Sequence, residues 1–258
     1  MLLVAAALSL LIGLSLGLLG GGGSILTVPI LIYALGMAEK PAIATSLLVV
    51  SVTSAVAAIQ HHRNGNVCWK NAIAFSPAAM LGAYGGGRVA QFIPAWILLL
   101  LFAAIMIATA AAMWFGRAET AEQAANPCGV LGSGGKLPYG RIAAEGLAVG
   151  TVTGLVGAGG GFLVVPALVM MGGLIMKAAI GTSLVVIALK SATGFAGYIS
   201  HVTIDYRLAA VVTAAAAAGS LIGAPLGKRI SAQSLRKGFA AFVFVMALFI
   251  IYKEVPRP

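Results

Sequence analysis

Met1 to Leu19, Pro41 to Gln60, Ala95 to Phe115, Ala178 to Ser200 and Phe239 to Tyr252 are almost free of charge. Several of these stretches approach the roughly 20 apolar residues that a helix needs to cross about 30 Å of hydrocarbon at 1.5 Å per residue. The chain of 258 residues is 60% hydrophobic and 9% charged, where a soluble globular chain carries about 25% charged residues. That leaves too little polar surface to cover a water-soluble particle of this size, and the expectation is an all-α polytopic membrane protein. Sixteen Lys and Arg stand against six Asp and Glu, a formal charge of +10. The basic residues are scattered singly through short connecting segments without interleaved aromatics, so they read as a positive-inside bias rather than a nucleic-acid face.

The chain repeats itself. Gly17-Leu-Leu-Gly-Gly-Gly-Gly-Ser-Ile-Leu-Thr-Val-Pro29 is echoed by Gly154-Leu-Val-Gly-Ala-Gly-Gly-Gly-Phe-Leu-Val-Val-Pro166, 137 residues later. Without a gap, the same offset joins Lys40 to Lys177, Thr45-Ser46-Leu47 to Thr182-Ser183-Leu184, Ser54 to Ser191, Gly82 to Gly219, Gly86 to Gly223 and Phe102 to Phe239. Register held over so long a span predicts an internal duplication. The expected organisation is an N-terminal transmembrane repeat over 1–115, a polar linker over 116–140 and a C-terminal transmembrane repeat over 141–258. The linker carries Glu119, Glu122, Asn126-Pro127, Gly132 to Gly135 and Pro138, the composition of a solvated connection. Met1 to Leu19 lacks a basic n-region and an A-x-A-like site, and as part of the repeat it reads as fold rather than signal peptide.

Each half holds about five hydrophobic segments, the second of them short: Ile25 to Gly36 would be only about 18 Å long as a helix. Short or broken helices are therefore expected at the Gly-rich motifs. If all five pieces cross, the halves are inverted, and one side collects Arg63, Lys70, Arg117, Lys136, Arg141, Lys177, Lys228, Arg229, Arg236 and Lys237. The other then keeps Lys40, Arg88, Arg207, Lys253 and Arg257. Four crossings would make the halves parallel and nearly erase that asymmetry, so the positive-inside rule favours the inverted arrangement with the N-terminus outside.

Gly-interrupted short segments at matching places in two halves point to a transporter's midplane site. Consecutive glycines expose backbone N–H groups with no side chain in the way, and a helix starting after them adds its positive dipole end. Gly21, Gly22, Gly23 and Ser24, with Gly159, Gly160 and Gly161, are thus candidate anion-binding positions. The glycines at Gly13, Gly17, Gly82, Gly86, Gly150, Gly154, Gly219, Gly223 and Gly227 fit small-xxx-small helix packing instead. Thr45, Ser46, Thr182 and Ser183 either line the same cavity or bond back to the preceding turn. Lys190 lies about 15 to 18 Å from either end of its apolar segment, too deep to snorkel. Such a residue is a functional candidate by default, as an anion partner or as an interhelical contact; its counterpart in the first half is Thr53.

Cys68 and Cys128 sit in different connecting segments with no C-x-x-C or His spacing, so they read as two separate thiols. His61, His62 and His201 end corresponding segments, where a solvated interfacial role is expected. Glu145 falls in a first helical turn and Asp205 in a loop, leaving no deep carboxylate for cation coupling. Neither a nucleophile–base pair nor H-E-x-x-H occurs, which argues against an enzyme.

Gly17 to Pro29, its echo at Gly154 to Pro166, the A-T-S-L and G-T-S-L segments and G-A-P-L-G at Gly223 to Gly227 resemble the sulfite exporter TauE/SafE family of membrane permeases. The resemblance covers both halves. It implies transport of a small sulfur-containing anion, sulfite or an organosulfonate, in a bacterial-type inner membrane, with no cofactor and no metal ion. The expected partners are that anion and the lipid bilayer, not nucleic acid, with room left for a homodimer. A channel or a cation-coupled carrier for another small solute is the alternative.

Overall fold

The computed structural model describes residues 2–90, 92, 95–115, 127–128, 139–156, 161–170, 172–198 and 203–254. Every regular element among them is helical. The first half runs through α1 (Leu2–Leu19), α2 (Gly22–Pro29), α3 (Glu39–Arg63), α4 (Trp69–Ala90) and α5 (Ala95–Phe115). The second runs through α6 (Tyr139–Val156), α7 (Gly161–Met170), α8 (Met176–Tyr198), α9 (Tyr206–Arg229) and α10 (Ala232–Glu254).

Both short helices contain a proline, Pro29 in α2 and Pro166 in α7. A proline supplies no N–H and crowds the carbonyl of the turn before it. After Pro29 the helix widens into a π turn over Ile30–Ala34, with Leu35 N donating to Ile30 O at 3.2 Å. The exits match: Gly36 and Gly173 take the left-handed conformation with φ of 67° and 66°, which glycine alone adopts without strain. One residue later Met37 N donates to Leu31 O and Leu174 N to Leu168 O. These corresponding bonds lie 137 residues apart. Asp205 caps α9, its Oδ1 accepting from Arg207 N at 3.0 Å and Leu208 N at 3.1 Å.

Glycines set the tightest helix contacts. A Cβ on Gly13 would lie 1.8 Å from Ala216 O, and one on Gly17 would lie 2.4 Å from Ser220 O. Both pairs are 203 residues apart, so α1 and α9 run parallel. Likewise a Cβ on Gly150 would meet Ala79 O at 2.1 Å and one on Gly146 would meet Phe75 O at 2.7 Å. Those pairs share a separation of 71 residues, so α4 and α6 also run parallel. Gly82, Gly219 and Gly223 make the reciprocal approaches to Leu147, Leu10 and Leu14. Backbones this close are what small residues permit in a membrane, where apolar burial against lipid gains nothing. The helices α3 and α8 instead run antiparallel: Gly194 faces Leu47, Ser51 Oγ donates to Ala188 O at 3.1 Å, and Gly181 abuts His61 and Asn66.

Pro41–Arg63, Met176–Ala196, Tyr206–Gly227 and Ala232–Tyr252 are long and apolar enough to cross a membrane. Ile73, Leu81 and Tyr84 on α4 and Val245, Leu248 and Tyr252 on α10 are exposed. In water such rows would be a liability, and in a bilayer they form the lipid-facing surface.

Two sequence expectations change here. Cys68 and Cys128, read as separate thiols, form a disulfide. The fold brings residues 127 and 128 to the start of α8, where Ile175 N donates to Pro127 O at 3.3 Å, a proximity that spacing along the chain does not reveal. Glu145 is in the second turn of α6, because that helix begins at Tyr139, and it is buried rather than solvated.

Candidate functional site

The Gly20 to Gly23 run divides its work. Gly20 ends α1 with φ 70° and donates its N–H to Leu16 O at 2.8 Å. Gly21 precedes α2, while Gly22 and Gly23 are already helical. A Cβ on Gly23 would sit 2.5 Å from Leu16 Cβ and 2.6 Å from Ile12 O, so this glycine lets α2 fold back along α1. The unbroken run is therefore a single turn followed by close packing, not a long unwound loop.

That reversal brings the first turn of α2 against the first turn of α7. A Cβ on Gly161, the first residue of α7, would lie 2.7 Å from Ser24 Oγ and 2.9 Å from Ile187 Cδ1. Ile187 is about 17 Å along α8 from Met176 at 1.5 Å per residue, near the middle of that helix. The first N–H groups of a helix have no partner within it, and its dipole favours negative charge there. Two such ends abut in the buried interior. Gly159 and Gly160 lie outside the described residues.

One face of α8 runs past this point. Ser183 and Lys190 flank Ile187 at i−4 and i+3, spacings that share a helix face. Ser183 touches the glycine turn, since a Cβ on Gly20 would meet its Oγ at 2.9 Å. Half-buried Lys190 donates from Nζ to Thr153 Oγ1 on α6. Ser183, Ile187 and Lys190 thus link the Gly20 turn, the α2–α7 junction and the inner part of α6.

The hydroxyls are not equivalent. Ser24 donates to Gly21 O at 2.7 Å, Ser46 to Ile43 O at 2.8 Å and Ser183 to Ile180 O at 2.8 Å, so each proton is committed to its own helix. Thr182 Oγ1 accepts from Cys68 N at 3.0 Å and secures the loop entering α4. Thr45, Thr53, Ser54 and Ser191 are buried with no hydrogen-bond partner. An unsatisfied buried hydroxyl costs about 1–3 kcal/mol, so four of them in the two antiparallel core helices mark where a polar guest is wanted. Sequence reading selected Thr45 but not Thr53, Ser54, Ser191 or Thr153 as site residues. The matched serines at 54 and 191 were the available signal.

His61 departs from its expected solvated role. It is 5% exposed, and its Nε2 lies 3.1 Å from Gly17 O. Its neighbour His62 remains exposed and accepts at Nδ1 from Trp69 Nε1 at 3.1 Å. His201 lies outside the described residues.

Residues 5–250 match the family model described as sulfite exporter TauE/SafE. A protein of Xylella fastidiosa named "Probable membrane transporter protein" is 34% identical over 247 residues, covering 95% of this chain and 92% of the relative. A Bacillus subtilis protein of the same description, YdhB, is 28% identical across 83% of this chain and 85% of its own length. One from Haemophilus influenzae is 26% identical over 98% of both. No solved structure matches the chain. With membrane-length apolar helices, a glycine-built interior junction and a family match over nearly its whole length, the chain is a multi-pass cell-membrane transporter of the sulfite exporter TauE/SafE family.

Proposed function

We propose that this chain is a secondary transporter for a small anion, sulfite or a related sulfur oxyanion or organosulfonate, held near the membrane midplane between two inverted repeats. The carrying observation is the abutment of the α2 and α7 starts at Ser24 and Gly161, about one helical turn from Lys190 on α8. Backbone N–H groups and two dipole ends solvate an oxyanion without formal charge, and one lysine supplies the single cation, at a depth where a second would be costly.

The inverted arrangement is supported by who touches whom. Ser24 meets Gly161 and Ser51 meets Ala188, and in each pair the partners are 137 residues apart. Residues that contact their own counterparts lie on a two-fold axis. Because α3 and α8 are antiparallel, that axis lies in the membrane plane and turns one half upside down relative to the other. Gly13 against Ala216 and Gly150 against Ala79 are then images of one contact. This reading gives ten crossings, with the ten-residue basic side in the cytoplasm, and transport without covalent chemistry.

The test is uptake of labelled sulfite, thiosulfate, sulfoacetate and sulfate into proteoliposomes. Saturable, competable uptake with counterflow is expected for at least one sulfur oxyanion. Failure of every oxyanion to compete would sink the anion reading, and single-channel currents would replace the carrier with a channel.

A further inference from the structure

We propose that the Cys68–Cys128 bond is a reversible staple on the cytoplasmic end of the transporter, opened by attack of an anionic sulfur nucleophile on Cys128. The bond joins two connecting segments at one end of the fold. Cys68 precedes α4 and gives its N–H to Thr182 on the second turn of α8, and Pro127 takes the N–H of Ile175 just before α8. Arg63, Lys70 and Lys177 lie in sequence beside these same connections, so the disulfide is on the basic end, the cytoplasmic one in the orientation proposed above. A permanent disulfide does not belong there, since cytosolic thiols are kept reduced and the disulfides that do form are transient or sensing ones.

The two sulfurs differ in ways that fix the direction of attack. Cys68 is 4% exposed, whereas Cys128 is only partly buried, so an incoming nucleophile reaches Cys128 Sγ. Cys68 is the leaving sulfur. It sits at the start of α4, where Ala72 N donates to Cys68 O at 3.0 Å. A thiolate released there faces the positive end of the helix dipole, and a well-stabilised leaving thiolate speeds exchange. With a small thiol, its sulfur bonds to Cys128 as the Cys68–Cys128 bond breaks, and Cys68 departs with the electron pair. A second small thiolate then displaces Cys128, so two small thiols are oxidised to their disulfide while the protein disulfide is reduced. With sulfite, the first step leaves Cys128 as the S-sulfonate and Cys68 free. Opening the bond detaches residues 127 and 128 from the loop that holds Thr182, one residue from the Ser183 that touches the glycine turn.

The experiment uses the full chain in inside-out and right-side-out membrane vesicles, with a membrane-impermeant maleimide and peptide mass mapping. Before reduction neither cysteine should label. After glutathione at cytosolic concentration both should label in inside-out vesicles only, with the mixed disulfide trapped on Cys128. Sulfite in place of glutathione should place its adduct on Cys128. Labelling confined to right-side-out vesicles, a bond that survives both reagents, or an adduct on Cys68 would each overturn the proposal. Glutathione should raise proteoliposome uptake several-fold in the wild type and leave a Cys68→Ser/Cys128→Ser double variant unmoved at the higher rate. Equal rates before and after opening would reduce the bond to a mere link and refute the staple. The labelling readouts need no transported anion, so they stand or fall apart from the substrate assignment.

Discussion

Gly82 and Gly85 stand three residues apart in α4 and should respond to alanine with opposite signs. A Cβ on Gly82 would lie 2.3 Å from Leu147 O and 2.8 Å from Thr151 N. Both are backbone atoms of α6, so no flexible side chain can move aside, and reaching even a 3.0 Å approach requires the helices to part by about 0.7 Å. Overpacking of this kind costs about 1–3 kcal/mol. Alanine recovers roughly 1 kcal/mol of helix propensity, leaving Gly82→Ala destabilised by about 1–2 kcal/mol. At Gly85 a Cβ meets nothing within 4 Å, so only the propensity gain of roughly 1 kcal/mol remains. The variants should differ by about 2–3 kcal/mol, which at roughly 2–4 °C per kcal/mol for a chain of this size separates their melting temperatures by about 4–12 °C. Thermal unfolding in one detergent, followed by tryptophan fluorescence, reads the gap. If Gly82→Ala melts with or above Gly85→Ala, the parallel packing of α4 on α6 in this register is wrong.

Lys190→Met keeps length and apolar stem but removes the charge. Loss of one charged hydrogen bond to the solute, about 1.5–3 kcal/mol, should lower anion uptake roughly 10- to 150-fold, whereas unchanged uptake in proteoliposomes would remove Lys190 from the site. Ser54→Ala and Ser191→Ala delete hydroxyls that are buried and unpartnered, so thermal stability should hold or rise by up to about 1 kcal/mol while the apparent affinity for the anion falls. Lower stability with intact affinity would assign these hydroxyls to packing. Gly20→Ala puts a Cβ on a residue with φ 70° and only 2.9 Å from Ser183 Oγ. It should cost about 1–2 kcal/mol, read as a lower melting temperature.

Much of the fold was legible in the chain because membrane helices announce themselves. A bilayer demands long uncharged runs, and a gapless duplication fixes which pieces correspond. The short second segment, the glycine turn and the packing glycines at Gly13, Gly82, Gly150 and Gly219 followed from the same local rules, since backbone geometry and the lack of a Cβ are properties of single residues. The candidate site was only half legible. That Lys190 lies deep is a matter of counting, but that Thr153 receives its proton depends on how α6 leans on α8. Sequence treats Ser24, Ser46 and Ser183 as donors equal to Thr45, Ser54 and Ser191, yet the first three spend their protons on their own helices and the others do not. Rotamer and neighbour decide this, and neither is written in residue type. The Cys68–Cys128 bond is the plainest case, for 60 residues of chain separate sulfurs that only the folding of residues 127 and 128 onto the start of α8 brings together. Sequence by itself determined the solvent, the helices and the glycine turn, because these are set by composition and local conformation. Tertiary structure alone decided which polar atoms are left free to meet a solute, because hydrogen-bond satisfaction is a property of neighbours that are distant along the chain.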